Sequence, residues 1–286
     1  MYSFPSRIPA AVVPALLAVA LTGCGGGGSS APTASTPAAD SGIAITVAAA
    51  ASPANVMDLS GWKLNLPVDA NGGNGGNDGV QFGGRTVLPQ ELAAGFSDDY
   101  FRSDGQGRIV FTAPANGAVT TPGVGTDHTR SELREFDRSG DAKGDWLGSG
   151  TLSATCEVQQ VATASPVAVI GQLRSENHVF AQLVYRVASQ DIAVDVYQGD
   201  SDGSRHAVTV LAPGVALGQP VAYALSFAGG VLTASVDGAS RDFTVDGTWS
   251  TARLYFKVGA YHLAPNVGNP AGDRTTVACA GISVTH

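Results

Sequence analysis

Short stretches of alternating or continuous apolar residues, separated by turn formers, fill the chain from about residue 108 to its end. Such alternation is typical of half-buried strands, and the Gly-, Asp- and Ser-rich segments between them indicate turns. The pattern predicts strands over 108–112, 151–161, 167–174, 180–188, 192–198, 207–211, 222–227, 231–236, 252–261 and 275–284. Residues 88–94 form a short helical pattern. Many closely spaced strands without alternating helices predict an all-β sandwich or β-jelly roll.

The N-terminal segment differs in composition from the rest of the chain. Arg7 is the only charge in the first 39 residues, an apolar run covers 8–21, and Leu-Thr-Gly precedes Cys24. A basic start, a short apolar core and small residues before a cleavage site are typical of a secretory signal. Leu-Thr-Gly-Cys resembles the bacterial lipobox. We therefore expect a lipoprotein signal peptide at 1–23, lipidation of Cys24, and an exported protein anchored to the outer membrane or cell surface.

Residues 24–54 contain mainly Gly, Ser, Ala, Thr and Pro, with a single acid. Such a segment buries too little apolar surface to offset the entropy of ordering, so we interpret it as a flexible tether. Residues 55–286 are long enough for one large all-β domain. Within it, the Gly/Asn segment 69–79 does not follow EF-hand spacing, and we interpret it as a mobile loop.

Charge and cysteine content narrow the possible partners. The net charge is −8, so a site for any polyanion must be a local cluster of Arg and Lys, and we expect no nucleic-acid partner. Two cysteines, Cys156 and Cys279, follow Cys24. An exported compartment permits a disulfide between them, and two separate buried thiols are the alternative.

Three segments carry long polar side chains at alternate positions, which places them on one face of a strand. They are Arg130, Glu132 and Arg134 in the first segment, Gln172 and Arg174 in the second, and Tyr255, Lys257 and Tyr261 in the third. A solvated sheet face explains any one segment alone. Three such strands, each rich in donors, predict a shared cationic groove.

These segments resemble signature strands of polysaccharide lyase family 7, the alginate lyases. The resemblance is carried by Arg-Ser-Glu-Leu-Arg-Glu at 130–135 and by Tyr-Phe-Lys-Val-Gly-Ala-Tyr at 255–261. Ile-Gly-Gln-Leu-Arg at 170–174 lies where that family carries a Gln-x-His motif. Segments 58–67 and 110–114 resemble the opening strand and the segment before the Arg strand. The matches follow the family's order across about 58–261, which makes the resemblance specific.

The resemblance implies a β-jelly roll, or concanavalin-like sandwich, with a concave groove for an acidic polysaccharide. It also implies cleavage by β-elimination without a metal or cofactor. Removing H5 from a uronate requires neutralisation of its C6 carboxylate by fixed donors. By similarity, Arg130 and Gln172 would clamp that carboxylate, and Tyr261 would donate a proton to the departing O4. Neighbouring cations are expected to favour the tyrosinate, so that Tyr261 exchanges protons near neutral pH.

Further residues are expected to contact the polymer. By similarity, Arg134 and Lys257 would hold neighbouring sugars, and Glu132 would orient the arginines. The remaining substrate-binding candidates are Arg174, Tyr255 and His128.

The chain departs from the family pattern at two places. Arg174 replaces the histidine of the Gln-x-His motif, and His262 with Leu263 replaces the Asn-Gln that follows the tyrosine. A guanidinium stays protonated and is a poor base. In this family the histidine matters most for guluronate, where H5 and the leaving group lie on opposite faces. For mannuronate or glucuronate one tyrosine can be both base and acid, so we hypothesise a preference for mannuronate-rich alginate or a glucuronate polymer.

Another histidine could instead take over the role of base. His128 shares a face with Arg130, and His178 lies beyond Arg174 in a turn. His262 points away from Tyr261 if the strand is regular.

Two other functions remain open from the sequence. The groove could bind acidic glycans without cleaving them, as a surface lipoprotein of an uptake system does. A glycoside hydrolase requires two facing carboxylates, and Glu132 and Glu135 have opposite strand parity, which disfavours that interpretation. We expect a monomer.

Overall fold

The computed structural model describes residues 52–73, 83–120, 128–136, 145–201, 203–266, 268–270 and 272–286. The predictions for the signal peptide, Cys24 and most of the tether lie outside these residues, as does the part of the Gly/Asn loop after residue 73. Within the described ranges, no helix has the length and apolar character needed to cross a bilayer.

The described residues form fifteen strands and two short helices. In chain order the strands are β1 (Trp62–Asn65), β2 (Thr86–Val87), β3 (Phe101–Ser103), β4 (Ile109–Pro114), β5 (Arg130–Glu135), β6 (Gly150–Gln160), β7 (Val167–Ser175), β8 (Val179–Arg186), β9 (Asp191–Tyr197), β10 (His206–Pro213), β11 (Pro220–Ala228), β12 (Val231–Val236), β13 (Ala239–Thr244), β14 (Leu254–His262) and β15 (Arg274–Thr285). The helices are α1 (Pro89–Ala93) and α2 (Thr248–Thr251), and a single 3-10 turn covers Pro53–Asn55.

The strands form two antiparallel sheets that share one apolar core. One sheet has the order β10-β9-β8-β7-β14-β5-β1-β2, and the other has the order β13-β12-β11-β6-β15-β4-β3. Alternate residues of both sheets enter a common cluster, which includes Leu133, Leu173, Phe256, Leu225 and Val277. Burial of these side chains is the main force that holds two such sheets together. The β-jelly roll expected from the sequence is confirmed.

The apolar pattern located most elements correctly and failed where burial was weak. The helix expected at 88–94 is α1, and the Trp62 segment is a strand, as the resemblance implied. β13 was missed because its side chains are mostly exposed and polar, as expected for a strand at the edge of a sheet. Packing against the core begins at Ala54, next to the predicted domain boundary at 55.

The two cysteines of the domain form a disulfide, as the first of the two alternatives predicted. Cys156 on β6 and Cys279 on β15 are cross-strand neighbours, and both are fully buried. The bond joins residues 123 positions apart in the chain. A crosslink over so long a loop restricts the unfolded chain and stabilises the fold by about 2–5 kcal/mol.

Candidate active site

The three polar segments lie side by side in the middle of the eight-stranded sheet. β14 pairs with β5 on one side and with β7 on the other, so Lys257 lies between Arg134 and Gln172. Tyr261 is the cross-strand neighbour of Arg130. The residues between them in sequence, such as Phe256 and Val258, belong to the core. We call the opposite face of this sheet the polar face; it carries Arg130, Glu132, Gln172, Lys257 and Tyr261.

A glycine and a bulge set the position of Tyr261. Gly259 has φ +150°, and a Cβ there would overlap the carbonyl oxygen of Ser131. The pairing of β14 with β7 shifts between Val258 and Tyr261, which brings Tyr261 opposite Val169. The ring of Tyr261 consequently packs against Val169 and Val184 in a small apolar cluster apart from the main core. Bulges of this kind redirect side chains next to functional sites.

Glu132 is the buried centre of the polar face. Its Oε2 accepts hydrogen bonds from Lys257 Nζ at 2.6 Å and Arg130 Nη1 at 3.4 Å, and its Oε1 accepts one from Gln172 Nε2. Burial alone raises the pKa of Glu132, but the charges of Lys257 and Arg130 outweigh it and hold the pKa below its ordinary value. The carboxylate therefore stays ionised and fixes three donors at once.

Tyr261 is almost completely buried, and two polar side chains contact its hydroxyl and its ring. Its Oη lies 3.1 Å from Nδ1 of His128, and the guanidinium carbon of Arg130 lies 4.2 Å from its ring centroid. Burial raises the pKa of Tyr261, and the opposing effects of Arg130 and Arg174 are smaller. The neighbouring cations favour the tyrosinate, as expected, but burial outweighs them, so the pKa of Tyr261 is raised and not lowered. At neutral pH Tyr261 is a neutral phenol that can donate a proton.

The two remaining arginines of the polar face differ in their partners. Arg134 Nη2 lies 3.2 Å from Asp145 and 2.5 Å from Glu176, and its guanidinium carbon lies 3.7 Å from the ring centroid of Tyr255. Arg174 is half-buried and forms no ion pair with any side chain of the described residues. Its charge acts on both Tyr261 and Lys257. In the strand register Arg174 lies across from Tyr255, so it reaches Tyr261 through its charge and not through a cross-strand contact.

Several side chains have surroundings that the sequence did not indicate. Gln172 is fully buried and its Nε2 is held by Glu132, while its Oε1 has no hydrogen-bond partner in the described part of the chain. Lys257 is also buried, and burial lowers its pKa to about 7 against the raising effect of Glu132. Glu132 contacts Arg130 but not Arg134, which is held by Asp145 and Glu176. The sugar-contacting roles of these residues stay predictions.

The candidate histidines occupy three different environments. His262 points away from Tyr261, as predicted: its Nε2 donates to Thr129 Oγ1, which itself donates to the carbonyl of Pro114. Burial lowers the pKa of His262 to about 4, so it is a neutral structural residue. His178 Nδ1 lies 2.9 Å from the carbonyl oxygen of Val179. His128 is the candidate that contacts Tyr261.

The polar face extends over strands that the sequence did not single out. Gln172 lies across from Gln182, and Gln182 lies across from Asp195. Tyr197 follows on the same face, with its ring centroid 4.8 Å from that of His206. The signal was present in 192–198, where core residues alternate with Asp195 and Tyr197. Asp145 and Glu176 lie outside the strands, and no pattern pointed to them.

The fold and the polar face together define a β-jelly-roll protein built to hold an anionic chain beside a buried tyrosine. Comparison with known families gives the particular assignment. The family model described as "Alginate lyase" matches residues 57–286. The chain therefore belongs to the alginate lyase family and is a polysaccharide lyase, as the resemblance implied.

Individual relatives agree with this assignment. The chain is 29% identical over 272 residues to an alginate lyase of Klebsiella pneumoniae, covering 75% of this chain and 85% of that protein. A crystal structure of an alginate lyase from Pseudomonas aeruginosa shares 26% identity at a TM-score of 0.69, covering 80% of this chain and 100% of the other. A double variant of the family 7 alginate lyase A1-II′, solved with its substrate GGMG, shares 25% identity at a TM-score of 0.69, covering 83% of this chain and 97% of the other.

Proposed function

We propose that the protein cleaves alginate by β-elimination, with Tyr261 as the proton-transferring group. The observation that carries the proposal is the placement of the Tyr261 ring 4.2 Å from the guanidinium of Arg130, on a face that also carries Arg174, which forms no ion pair with the described residues. In the elimination, H5 leaves as a proton, C4 and C5 form a double bond, and O4 departs with a proton. A uronate bound with its carboxylate on the guanidinium groups brings C5 and O4 to the phenol.

The proposal divides the polar face into contact residues and supporting residues. Arg130 and Arg174 neutralise the C6 carboxylate, because fixed charged donors stabilise the negative charge that develops there. Glu132, together with Lys257 and Gln172, holds Arg130 in place through the contacts described above. Arg134 and Tyr255 lie on the far side of Lys257 and are assigned to a neighbouring sugar.

We further propose that mannuronate-rich alginate, or a glucuronate polymer, is preferred over guluronate blocks. Arg174 stands at the position of the family's histidine, and a guanidinium does not accept a proton at neutral pH. Tyr261 then acts from one face of the sugar, which suits mannuronate and glucuronate because H5 and O4 lie on the same face.

A substrate panel tests both proposals. Purified protein is incubated with polymannuronate, polyguluronate and glucuronan, and unsaturated uronate ends are followed by ultraviolet absorbance. We expect the fastest rise with polymannuronate or glucuronan, and faster cleavage of polyguluronate would refute the preference. Tyr261→Phe should lower the rate by about 10²–10⁴-fold while gel retardation of the polymer persists. Retardation by the wild type without any absorbance change would favour a non-catalytic glycan-binding protein.

We also propose that the chain is exported and anchored through a lipid on Cys24. The Cys156–Cys279 disulfide supports export, since such bonds persist in oxidising compartments. Cell fractionation tests the anchor: wild-type protein should sediment with membranes, and Cys24→Ala should not. Equal distribution of the two proteins would refute the anchor.

A further inference from the structure

We propose that His128 is the proton acceptor that converts Tyr261 from a phenol into the base that removes H5. The inference rests on the proposed function, because it supplies the base that β-elimination needs. It assigns to His128 a task that the replacement of the family's histidine by Arg174 leaves open.

The position of His128 is set by the contacts of the two residues that follow it. His128 immediately precedes Thr129, whose side chain is held by the carbonyl of Pro114 and by His262. The next residue, Arg130, is paired in register with Tyr261. The imidazole therefore lies over the end of β14, with Nδ1 at 3.1 Å from the phenolic oxygen and the two ring planes tilted by 50°. This distance is that of a hydrogen bond, and in the Nε2-protonated tautomer the imidazole accepts the phenolic proton.

The chemistry of Tyr261 explains why it needs such a neighbour. A phenol does not take a proton from carbon, whereas a phenolate does, and burial raises the pKa of Tyr261. A histidine within hydrogen-bond distance can accept the proton near neutral pH. Arg130 and Arg174 favour the phenolate once it has formed. The ionised pair is then an imidazolium and a phenolate in contact, with guanidinium groups beside the phenolate.

The proposed sequence conserves protons and electrons. The phenolic proton moves from Tyr261 Oη to His128 Nδ1, and the phenolate then takes H5 from C5. The electrons of the C5–H bond form the C4=C5 double bond as the C4–O4 bond breaks. The departing O4 then accepts from Tyr261 the proton that came from C5. The imidazolium returns its own proton to the phenolate. H5 has thereby moved to O4, and both side chains regain their starting states.

Other titratable groups surround the pair. Among the described residues of this face, the charged or titratable neighbours of Tyr261 are Arg130 and Glu132 on β5, Arg174 on β7 and His128 beside β5. The charge of Tyr261 also acts on Tyr197 of β9. The charge of His128 acts on His262, which lies on the other face of β14. The arginines stay protonated across the pH range of an assay. Lys257 on β14, with its pKa lowered to about 7, also titrates in that range, but it contacts Glu132 and is present in both the wild type and a His128 variant. A difference between those two pH profiles therefore reports on His128 and Tyr261.

The substitution His128→Asn tests the inference. The side-chain amide of asparagine lies close to the position of Nδ1, so it can keep the contact with Tyr261, but it is not basic. At pH 7 we expect kcat/KM to fall by about 10²–10⁴-fold, with polymer retardation and thermal melting unchanged. Above pH 7 the variant's kcat/KM should rise about tenfold per pH unit, because the phenolate fraction of Tyr261 grows tenfold per unit below its pKa. The wild-type profile should lack this tenfold-per-unit rise.

Matched controls separate this inference from the proposed function. His286→Gln alters a histidine that contacts Glu135 away from the polar face, and it should keep the wild-type profile. The double variant His128→Asn/Tyr261→Phe should show no alkaline rise, which excludes spontaneous elimination. A pH-independent loss in His128→Asn, or no loss at all, overturns the role of His128 while the lyase function stands. Wild-type protein that releases no unsaturated ends from any polymer overturns both.

Discussion

The two ends of the polar face contain similar cations, but their charges are compensated differently. At one end Arg134 is flanked by Asp145 and Glu176 and lies against Tyr255. Arg174 lies across from Tyr255 at this same end and forms no ion pair with the described residues. At the other end Arg130 and Lys257 share the single carboxylate of Glu132. Among the described residues, two cations therefore share one carboxylate at the Tyr261 end, whereas Asp145 and Glu176 balance the charges of Arg134 and Arg174 at the other end.

The difference indicates where the substrate carboxylate is neutralised. Developing negative charge is stabilised most by donors that are fixed and not already compensated by an anion. An arginine paired with two carboxylates offers less attraction to a third. Although the protein carries a net charge of −8, the local excess at Tyr261 can still attract an anionic chain.

The largest effect is expected from removing the carboxylate beneath the Tyr261 end. In Glu132→Gln the buried charges of Lys257 and Arg130 lose their counter-ion, which typically costs ~3–5 kcal/mol of unfolding free energy. We expect about 3 kcal/mol, the lower end, because Lys257 can release its proton when its pKa is already near 7. Denaturant unfolding measures the change.

A matched carboxylate at the Arg134 end provides the control. Glu176 is exposed, so Glu176→Gln should change the unfolding free energy by less than about 1 kcal/mol. The ion pairs of Glu132 lower its pKa, so its carboxylate stabilises the folded protein fully at any pH above the pKa of an unfolded glutamate. This stabilisation is lost as the pH falls through the lower pKa that Glu132 has in the folded protein. Equal losses in the two variants, or a larger loss in Glu176→Gln, would contradict the comparison.

A second effect, on catalysis and not on stability, is expected from exchanging one arginine at each end. Arg130→Met should lower kcat/KM by about 10²–10³-fold, mainly through kcat, since it removes a donor to the charge that develops in the transition state. Arg134→Met should mainly raise KM, because that side chain is assigned to a neighbouring sugar. Initial rates on polymannuronate separate the two. A kcat loss in Arg134→Met as large as that in Arg130→Met would remove the distinction between the ends.

Much of the site could be predicted from the sequence because strand geometry is local. Period-two alternation placed Arg130, Glu132 and Arg134 on one face, and it sent Phe256 and Val258 to the core. The same rule predicted correctly that His262 points away from Tyr261. The short strands and the exposed edge strand β13 were harder to recognise, since few buried apolar residues mark them.

The sequence by itself determined the strands, the faces of their side chains and, through its motifs, the family. The tertiary structure decided which charges are compensated: Asp145 and Glu176 reach Arg134, while Arg174 is left without an ion pair in the described residues. It also brought His128 to Tyr261 from 133 positions away in the chain and reversed the expected shift in the pKa of Tyr261. Burial and ion pairing depend on distances between strands remote in sequence, and a local pattern does not contain those distances.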